Sequence, residues 1–352
     1  PDNNSLAHRT TWLRSDLILC IIISVLLVTT IFSAADMIIR GETVTMQAKH
    51  GNWHIQVNNI SDEIAEEISN RPDVTAVGWS AVFNEDADQP YTIGERKATL
   101  YGTDETYLAQ LADGMEEGAF PQSDQEVVLS SNAKLALDVQ LGDSVTVQTP
   151  AGNVDLTISG FGSDDQEYYE GQTYLVAVYM TKDAFVSLMN ENGVSDYAPA
   201  CYMQFQSAAK AADAIAEIQT QYSLPEGSIR ENTAIMGLAG QSSNESMQNV
   251  YGLAAILFIM VLLAGVLMIS GSMNSQVAQR TKFFGMMRCI GASRKQVIRF
   301  VRLEALNWCK TAIPIGLIVG TVITWAVCAL LRYGIGGEFA GTPVFALSPI
   351  GL

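Results

Sequence analysis

The stretch QVAQRTKFFGMMRCIGASRKQVIRFVRL (residues 276–303) lies between two long apolar runs, residues 250–270 and 311–331. Each run has roughly the 20 residues that a helix needs to cross a bilayer. The stretch between them contains seven Lys or Arg residues and no acidic residue. Because Lys and Arg are retained on the cytoplasmic side in short loops, we predict that this stretch faces the cytoplasm.

The same stretch has the pattern of a broken amphipathic helix. Apolar side chains form two patches, at residues 283–290 and 297–301. Gly291 interrupts the helical pattern between them, and Ser293 is placed to cap the start of a new helix. A basic, amphipathic segment at the inner membrane face is suited to receive a soluble partner. The pattern leaves open an alternative, a stop-transfer anchor that touches only anionic lipid.

The segment QRTKFFGMMRCIGASRKQV resembles the FtsX-like permease signature of MacB-type ABC transporters. The matching positions are Arg280, Gly285, Arg288, Ile290, Gly291, Ala292, Ser293 and Val297. Many members carry an acidic residue before the first glycine, where this chain has Phe284, so a salt bridge from that position is in doubt. The resemblance implies a coupling helix that docks on a separate ATPase. The implied docking residues are Lys282, Phe283, Phe284, Gly285, Met287, Arg288, Ile290, Gly291, Ala292, Ser293, Arg294, Lys295 and Val297.

Charge is strongly partitioned along the chain. The 352 residues carry a net charge of −17. Residues 35–247 contain 33 acidic and 9 basic residues, whereas the rest of the chain contains 4 acidic and 11 basic ones. This pattern indicates a soluble acidic domain framed by basic membrane segments. The acidic excess is slight evidence for a cationic ligand, and no basic face points to nucleic acid as a partner.

A third apolar run, residues 17–33, follows Arg9 and Arg14 near the beginning of the sequence. A cleaved signal peptide is the competing interpretation, since basic residues precede the apolar core and small residues follow it. The core is long for a signal peptide, and the family resemblance implies a spanning first helix. We therefore predict a retained membrane helix.

The acidic region has mixed helix and strand patterns. Strands are predicted at residues 53–57, 74–83, 98–101, 154–159, 174–180 and 200–206, and helices at residues 62–70, 105–112, 182–189 and 208–222. Residues 126–149 predict a strand, a helix capped near Ser130 or Ser131, a turn, and a strand at 144–148 that pairs with 154–159. Several connections are too short for parallel crossovers, so we expect an α+β fold with an antiparallel or mixed sheet.

The sequence EVVLSSNAKLALDVQLGDSVTV (residues 126–147) is similar to the hallmark of the MacB-type periplasmic core domain. Together the resemblances imply an α-helical membrane protein with an α+β extracytoplasmic domain inserted between transmembrane helices 1 and 2. The expected parts are a cytoplasmic lead (1–16), helix 1 (17–34), the core domain (35–247), helix 2 (248–271), the coupling segment (272–303), helix 3 (304–331), and an external loop with the start of a truncated helix 4 (332–352). A natural three-helix protein is the alternative.

Few residue patterns in the chain indicate chemistry. No G-x-x-x-x-G-K-[ST] loop is found in the sequence, so ATP and Mg²⁺ are expected in the partner ATPase. His50 and His54 lack a third metal ligand at a telling spacing, and a surface strand is preferred. The loop with Asp164, Asp165 and Glu167 lacks the spacing of a calcium site. We predict no catalytic, cofactor-binding or metal-binding residue.

Other ionisable and thiol groups have ordinary explanations. Cys201 is the one cysteine of the acidic region, so that region cannot form an internal disulfide. Glu304 and Lys310 lie at the entrance of the third predicted helix, from which they can reach the interface by snorkelling.

Three functional hypotheses remain. The resemblance implies the permease subunit of an ABC transporter in the cell membrane, with an ATPase, a second or related permease copy and lipid as partners. It would transmit ATP-driven motion to the outer domain, for export of peptides, lipoproteins or other amphiphiles. The first alternative is a scaffold that activates a cell-wall hydrolase. The second is a membrane-anchored receptor without an ATPase.

Overall fold

The computed structural model describes residues 3–112, 114–163, 169–170, 173–279 and 281–349. The chain divides into two compact units. The helical unit comprises Pro1–Val44 and Gln248–Leu352, and the α+β unit comprises Thr45–Met247. Each unit is built around its own set of packing contacts.

Long helices dominate the helical unit. They are α1 (Asn3–His50), α7 (Glu245–Gln279) and α9 (Arg294–Ala329), and the shorter helix α8 (Thr281–Cys289) precedes α9. By length and composition, three helices in the described part of the chain are able to cross a membrane: Ile21–His50, Glu245–Gly271 and Arg294–Ile335. These helices overlap the three apolar runs predicted from the sequence. After α9 the chain forms a π-helical turn (Leu330–Ile335) and a 3₁₀ turn (Gly337–Gly341).

Helix α1 continues further than the predicted first span. It ends at His50, and the α+β unit begins at Thr45 rather than at residue 35. Gly41 lies in this extension, and a Cβ atom placed on it would come within 2.8 Å of the Thr342 Cα atom. A glycine at this position therefore permits the close approach of the chain after α9.

Small residues hold α9 against α1. A Cβ atom on Gly316 would lie 2.8 Å from Val25 Cβ, and one on Gly320 would lie 3.0 Å from Thr29 Cβ. Glycine at these two positions therefore permits close packing of the two helices. Helix α7 contacts α1 through the Phe32 and Phe258 rings, whose centroids are 5.0 Å apart.

The α+β unit contains twelve strands within its described residues. The strands are β1 (Ile55–Asn58), β2 (Val74–Phe83), β3 (Thr92–Ile93), β4 (Arg96–Thr103), β5 (Met115–Gly118), β6 (Glu126–Ser130), β7 (Ser144–Thr149), β8 (Gly152–Gly162), β9 (Tyr169–Glu170), β10 (Thr173–Thr181), β11 (Ala198–Phe205) and β12 (Ile229–Glu231). The helices are α2 (Asp62–Ser69), α3 (Ala133–Leu137), α4 (Lys182–Glu191), α5 (Ala208–Gln221) and α6 (Thr233–Leu238). A π-helical turn covers Tyr107–Leu111. This composition confirms the predicted α+β fold.

The sheet is mixed and partly closed. Its order is β12-β1-β11-β2-β4-β3-β7-β8-β6-β10-β9, and β5 pairs with β8. An additional pairing joins β4 to β10 in parallel, from Lys97 and Leu175 to Thr103 and Thr181. This pairing closes β4, β3, β7, β8, β6 and β10 into a ring, because each already pairs with its neighbour. The ring surrounds an apolar core with Leu100, Leu129 and Val178 in its interior.

A second core lies where α2 and α5 cover β1 and β11. Ile68 and Ile218 from the helices pack with Ile55 and Met203 from the strands, and all four are fully buried. Helix α2 begins where the sequence predicted, since Ser61 Oγ accepts a hydrogen bond from the Ile64 amide.

Two local predictions differ from the structure. Within the predicted helix at residues 105–112, Tyr107–Leu111 form a π-helical turn, and the Asp104 carboxylate accepts hydrogen bonds from the Tyr107 and Trp79 amides, each at 2.7 Å. The cap of α3 is Asn132, without a side-chain capping bond. Ser130 instead donates to Asn132 Oδ1 at 2.6 Å and accepts from the Ala177 amide at 3.0 Å, which ties the strand end to β10.

Candidate docking segment

Helix α8 ends in a complete glycine C-cap. The Ala292 amide donates to the Met287 carbonyl at 3.0 Å, and the Gly291 amide donates to the Arg288 carbonyl at 3.1 Å. These two bonds are the pair that defines a Schellman motif, with Gly291 at the position after the cap. Its φ of 98° lies in the left-handed region, which glycine adopts without steric penalty. The predicted helix break at Gly291 is confirmed.

Helix α9 begins with a capping box. Ser293 Oγ accepts from the Gln296 amide at 3.3 Å, and the Gln296 side chain accepts from the Ser293 amide at 2.8 Å. Both bonds satisfy amides that the first helical turn would otherwise leave unpaired. The predicted cap at Ser293 is therefore confirmed. The two helix ends are separated by a short turn, so the segment is a helix–turn–helix with hydrogen bonds on both sides of the bend.

Aromatic contacts connect the two helices. The Phe283 and Phe300 ring centroids are 6.3 Å apart, and the Phe283 and Phe284 centroids are 5.7 Å apart with an edge-to-face geometry. Aromatic pairs at such distances are stabilising beyond the area that they bury. The pair Phe283–Phe300 links α8 to α9 and so limits the angle between them.

The turn presents an apolar tip. Ile290 is 87% exposed and Met286 is 63% exposed. Large apolar side chains that project into solvent next to polar ones are typical of interaction sites. Either lipid or a protein groove would cover such a tip.

Basic side chains surround the tip. Lys282, Arg288, Arg294, Lys295, Arg299 and Arg302 are all exposed. Among the described residues none of the six forms an ion pair with a carboxylate. Arg294 and Lys295 lie in the first turn of α9, where the helix dipole already provides positive potential. The segment therefore attracts an acidic surface.

The structure brings the thirteen predicted docking residues into one helix–turn–helix, and it leaves all of them accessible to some degree. Phe284, Met287, Ala292 and Val297 are half-buried, and the other nine are exposed. Arg280, which belongs to the matching signature, lies outside the described residues. No salt bridge can start from the position of Phe284, because its side chain is apolar.

One histidine of the His50–His54 pair, His54, has a structural role. His54 Nδ1 accepts a hydrogen bond from the Phe205 amide at 3.0 Å, and burial lowers the pKa of His54. Across the described chain no group of three His, Cys, Asp or Glu residues is placed to hold a metal ion. The acidic loop with Asp164, Asp165 and Glu167 lies outside the described residues. Burial raises the pKa of Cys201 to about 12, which makes this thiol unreactive at neutral pH.

Sequence reasoning missed an aromatic cavity in the α+β unit. The cavity has a volume of about 320 Å³ and is lined by Trp53, Tyr101, Tyr107, Tyr179 and Tyr202. These residues come from distant parts of the sequence, and no spacing connects them. The one available signal was the strand alternation that places Tyr101, Tyr179 and Tyr202 opposite apolar core positions.

Comparison with known proteins gives two family matches. The model of the MacB-like periplasmic core domain matches residues 17–221, which is more than half of the chain. The model of the FtsX-like permease C-terminal region matches residues 255–350, which include the docking segment. No curated protein matches the sequence.

Two solved structures resemble parts of the chain. One is the periplasmic region of MacB from Actinobacillus actinomycetemcomitans, with 15% identity, a TM-score of 0.39, and coverage of 57% of this chain and 98% of that chain. The other is a domain of a putative permease protein from Porphyromonas gingivalis, with 13% identity, a TM-score of 0.35, and coverage of 52% and 89%. Both TM-scores are below 0.5, so the family of this chain is shown by the two family matches alone.

Proposed function

This chain belongs to the FtsX/MacB-type permeases of ABC transporters, and from that premise we propose that it transmits ATP-driven motion from a separate ATPase to its periplasmic domain. The permease subunits of this family are membrane-embedded and are not themselves catalytic. In agreement, the sequence has no phosphate-binding G-x-x-x-x-G-K-[ST] loop. ATP and Mg²⁺ would bind to the partner ATPase.

One observation carries the proposal, namely the helix–turn–helix formed by α8 and the first turns of α9. Its bend is fixed by the Schellman bonds at Gly291 and by the capping box at Ser293. A segment that transmits a displacement from one protein to another needs a fixed conformation where the two proteins touch, since a flexible loop would change shape instead of moving the helix. Because α9 continues from the turn for 36 residues, a push on the turn acts directly on a membrane helix.

The partner surface follows from the segment's chemistry. Ile290 and Met286 would enter an apolar groove, and the surrounding arginines would face acidic side chains. Arg288 lies in the last turn of α8, where its positive charge also interacts favourably with the negative end of the helix dipole. Such an interface has an apolar centre and a charged rim, as is usual for specific protein contacts.

The family supports a proposal for the periplasmic function. We propose export of peptides, lipoproteins or other amphiphiles by a dimer of this permease, or by a heterodimer with a related one. A scaffold that activates a cell-wall hydrolase is the second candidate. A strain without this chain would accumulate or become sensitive to such cargo in the first case, and would show division defects in the second.

Copurification tests the docking segment. An ATPase encoded next to this chain should copurify with the wild-type permease and be lost with Arg288→Glu, because charge reversal places a carboxylate against an acidic surface. Arg230→Glu is the matched control, since Arg230 is an exposed arginine in strand β12 of the α+β unit. Equal recovery of the ATPase with Arg288→Glu and with the wild type would refute the docking assignment.

A further inference from the structure

The aromatic cavity lies on the outer face of the strand ring. Strands β4 and β10 contribute Tyr101 and Tyr179, and their neighbours Leu100 and Val178 point into the ring core. Strand β11 contributes Tyr202, and the π-helical turn contributes Tyr107. The cavity is therefore built mainly on hydrogen-bonded strands, which are rigid supports for a binding site.

The rings are arranged in contacting groups. Tyr101 and Tyr179 are stacked, with centroids 4.8 Å apart and an interplanar angle of 22°. Tyr202 contacts Tyr107 at 4.6 Å and Trp53 at 5.1 Å. Five aromatic rings thus line one cavity of about 320 Å³, a volume within the range of small-molecule sites.

The cavity is held in shape by bonds behind its walls. The Tyr107 hydroxyl is hydrogen-bonded to Ser80 and to Tyr202. A Cβ atom at position 78 would lie 2.6 Å from the Tyr107 amide nitrogen, so Gly78 allows the π-helical turn to lie directly on β2. Burial raises the pKa of both Tyr107 and Tyr202 above the ordinary tyrosine value, so neither phenol carries a negative charge.

Two opposite charges line the cavity. Glu85 and Lys49 are both lining residues, and both are exposed. The region around the cavity has a negative net charge, because residues 35–247 contain 33 acidic and 9 basic residues. The field of such a domain concentrates cations and repels anions.

We propose that this cavity binds a small organic cation of the alkylammonium or arylammonium class. The faces of aromatic rings carry negative potential, and several rings around one cavity attract a desolvated cation more strongly than one ring does. Glu85 would supply the counter-charge, and Lys49 would oppose the cation. This inference goes beyond the proposed coupling role, and its test needs no ATPase.

The test is isothermal titration calorimetry on the full chain in nanodiscs of zwitterionic lipid, with empty nanodiscs subtracted. The probe is benzyltrimethylammonium, and the comparators of similar size are benzoate and benzyl alcohol. We expect the cation to bind at least tenfold more tightly than either comparator. The proposal would be overturned if the cation gave no heat of binding above that of empty nanodiscs. It would also be overturned if benzoate bound with equal affinity.

Substitutions locate the binding to the cavity. Tyr101→Ala should weaken cation binding about tenfold, whereas Tyr101→Phe should change it less than about twofold because the ring remains. Glu85→Gln should weaken it about threefold, and Lys49→Gln should strengthen it by a similar factor. Glu226→Gln, at an exposed position away from the cavity, is the control and should have no effect. A cation affinity that ignores both Tyr101→Ala and Glu85→Gln would place the binding elsewhere and refute the assignment.

Discussion

Substitution of Gly291 by alanine tests the shape of the docking segment without removing any side-chain contact. A Cβ atom at this position would meet nothing within 4 Å, so the substitution creates no clash. Its cost is purely conformational, because the φ of 98° is a backbone state that L-residues rarely adopt. Residues forced into such states cost roughly 1–3 kcal/mol.

The conformational cost of Gly291→Ala should lower the affinity of the permease for the ATPase. If the docking turn must have its present shape to bind, a cost of about 1–3 kcal/mol reduces the fraction of competent molecules by roughly 5- to 150-fold. The apparent Kd for the ATPase should rise by the same factor. The affinity is measured by titrating the purified ATPase against the permease in nanodiscs.

Gly271→Ala is the matched control for this measurement. Gly271 lies inside helix α7, and a Cβ atom there also meets nothing within 4 Å. Alanine is favoured over glycine in a helix interior by roughly 1 kcal/mol, so this variant should keep or raise stability. If Gly291→Ala binds the ATPase within twofold of both the wild type and the control, the fixed turn is not required and the reasoning is refuted.

Three further predictions concern the rest of the fold. Leu100→Ala should lower the free energy of unfolding by about 2–5 kcal/mol because Leu100 is fully buried in the strand ring, whereas Leu135→Ala, 94% exposed, should change it by less than about 0.5 kcal/mol in chemical denaturation. Gly316→Ala should lower the thermal stability of the detergent-solubilised chain, since its Cβ would approach α1 within 2.8 Å; Gly265→Ala, with no neighbour within 4 Å, should not, and equal melting temperatures would contradict the packing. Glu231 accepts hydrogen bonds from the two serines that precede α7; burial of Glu231 opposes ionisation, but these bonds outweigh it and lower its pKa. The contribution of Glu231 to stability is therefore present above its unfolded-state pKa and is lost as the pH falls through the lower folded-state pKa. Amide hydrogen exchange at the two serines should accelerate in acid, and Glu231→Gln should remove that pH dependence.

The docking segment was predictable because its determinants are local. Gly291 and Ser293 act through hydrogen bonds to residues within four positions, so the signal for both helix ends lies in the local sequence. For the same reason the cap of α2 agrees with the sequence pattern. The boundaries of β2 also match the predicted strand at residues 74–83. The π-helical form of the turn at Tyr107–Leu111 was not predicted, and the bond from the Trp79 amide to Asp104 joins residues 25 positions apart.

The sequence by itself determined the three apolar runs, the basic helix–turn–helix and the mixed α+β character of the acidic region. Hydrophobic periodicity and helix capping depend on residues within one or two helical turns of each other, so both can be recognised in a single sequence. Only the tertiary structure decided that β4 pairs in parallel with β10 and closes the ring, because that pairing joins residues 97–103 to 175–181. The same closure brings Tyr101 beside Tyr179, and the aromatic cavity exists because non-local strand pairing, which no local pattern encodes, places those rings on one face.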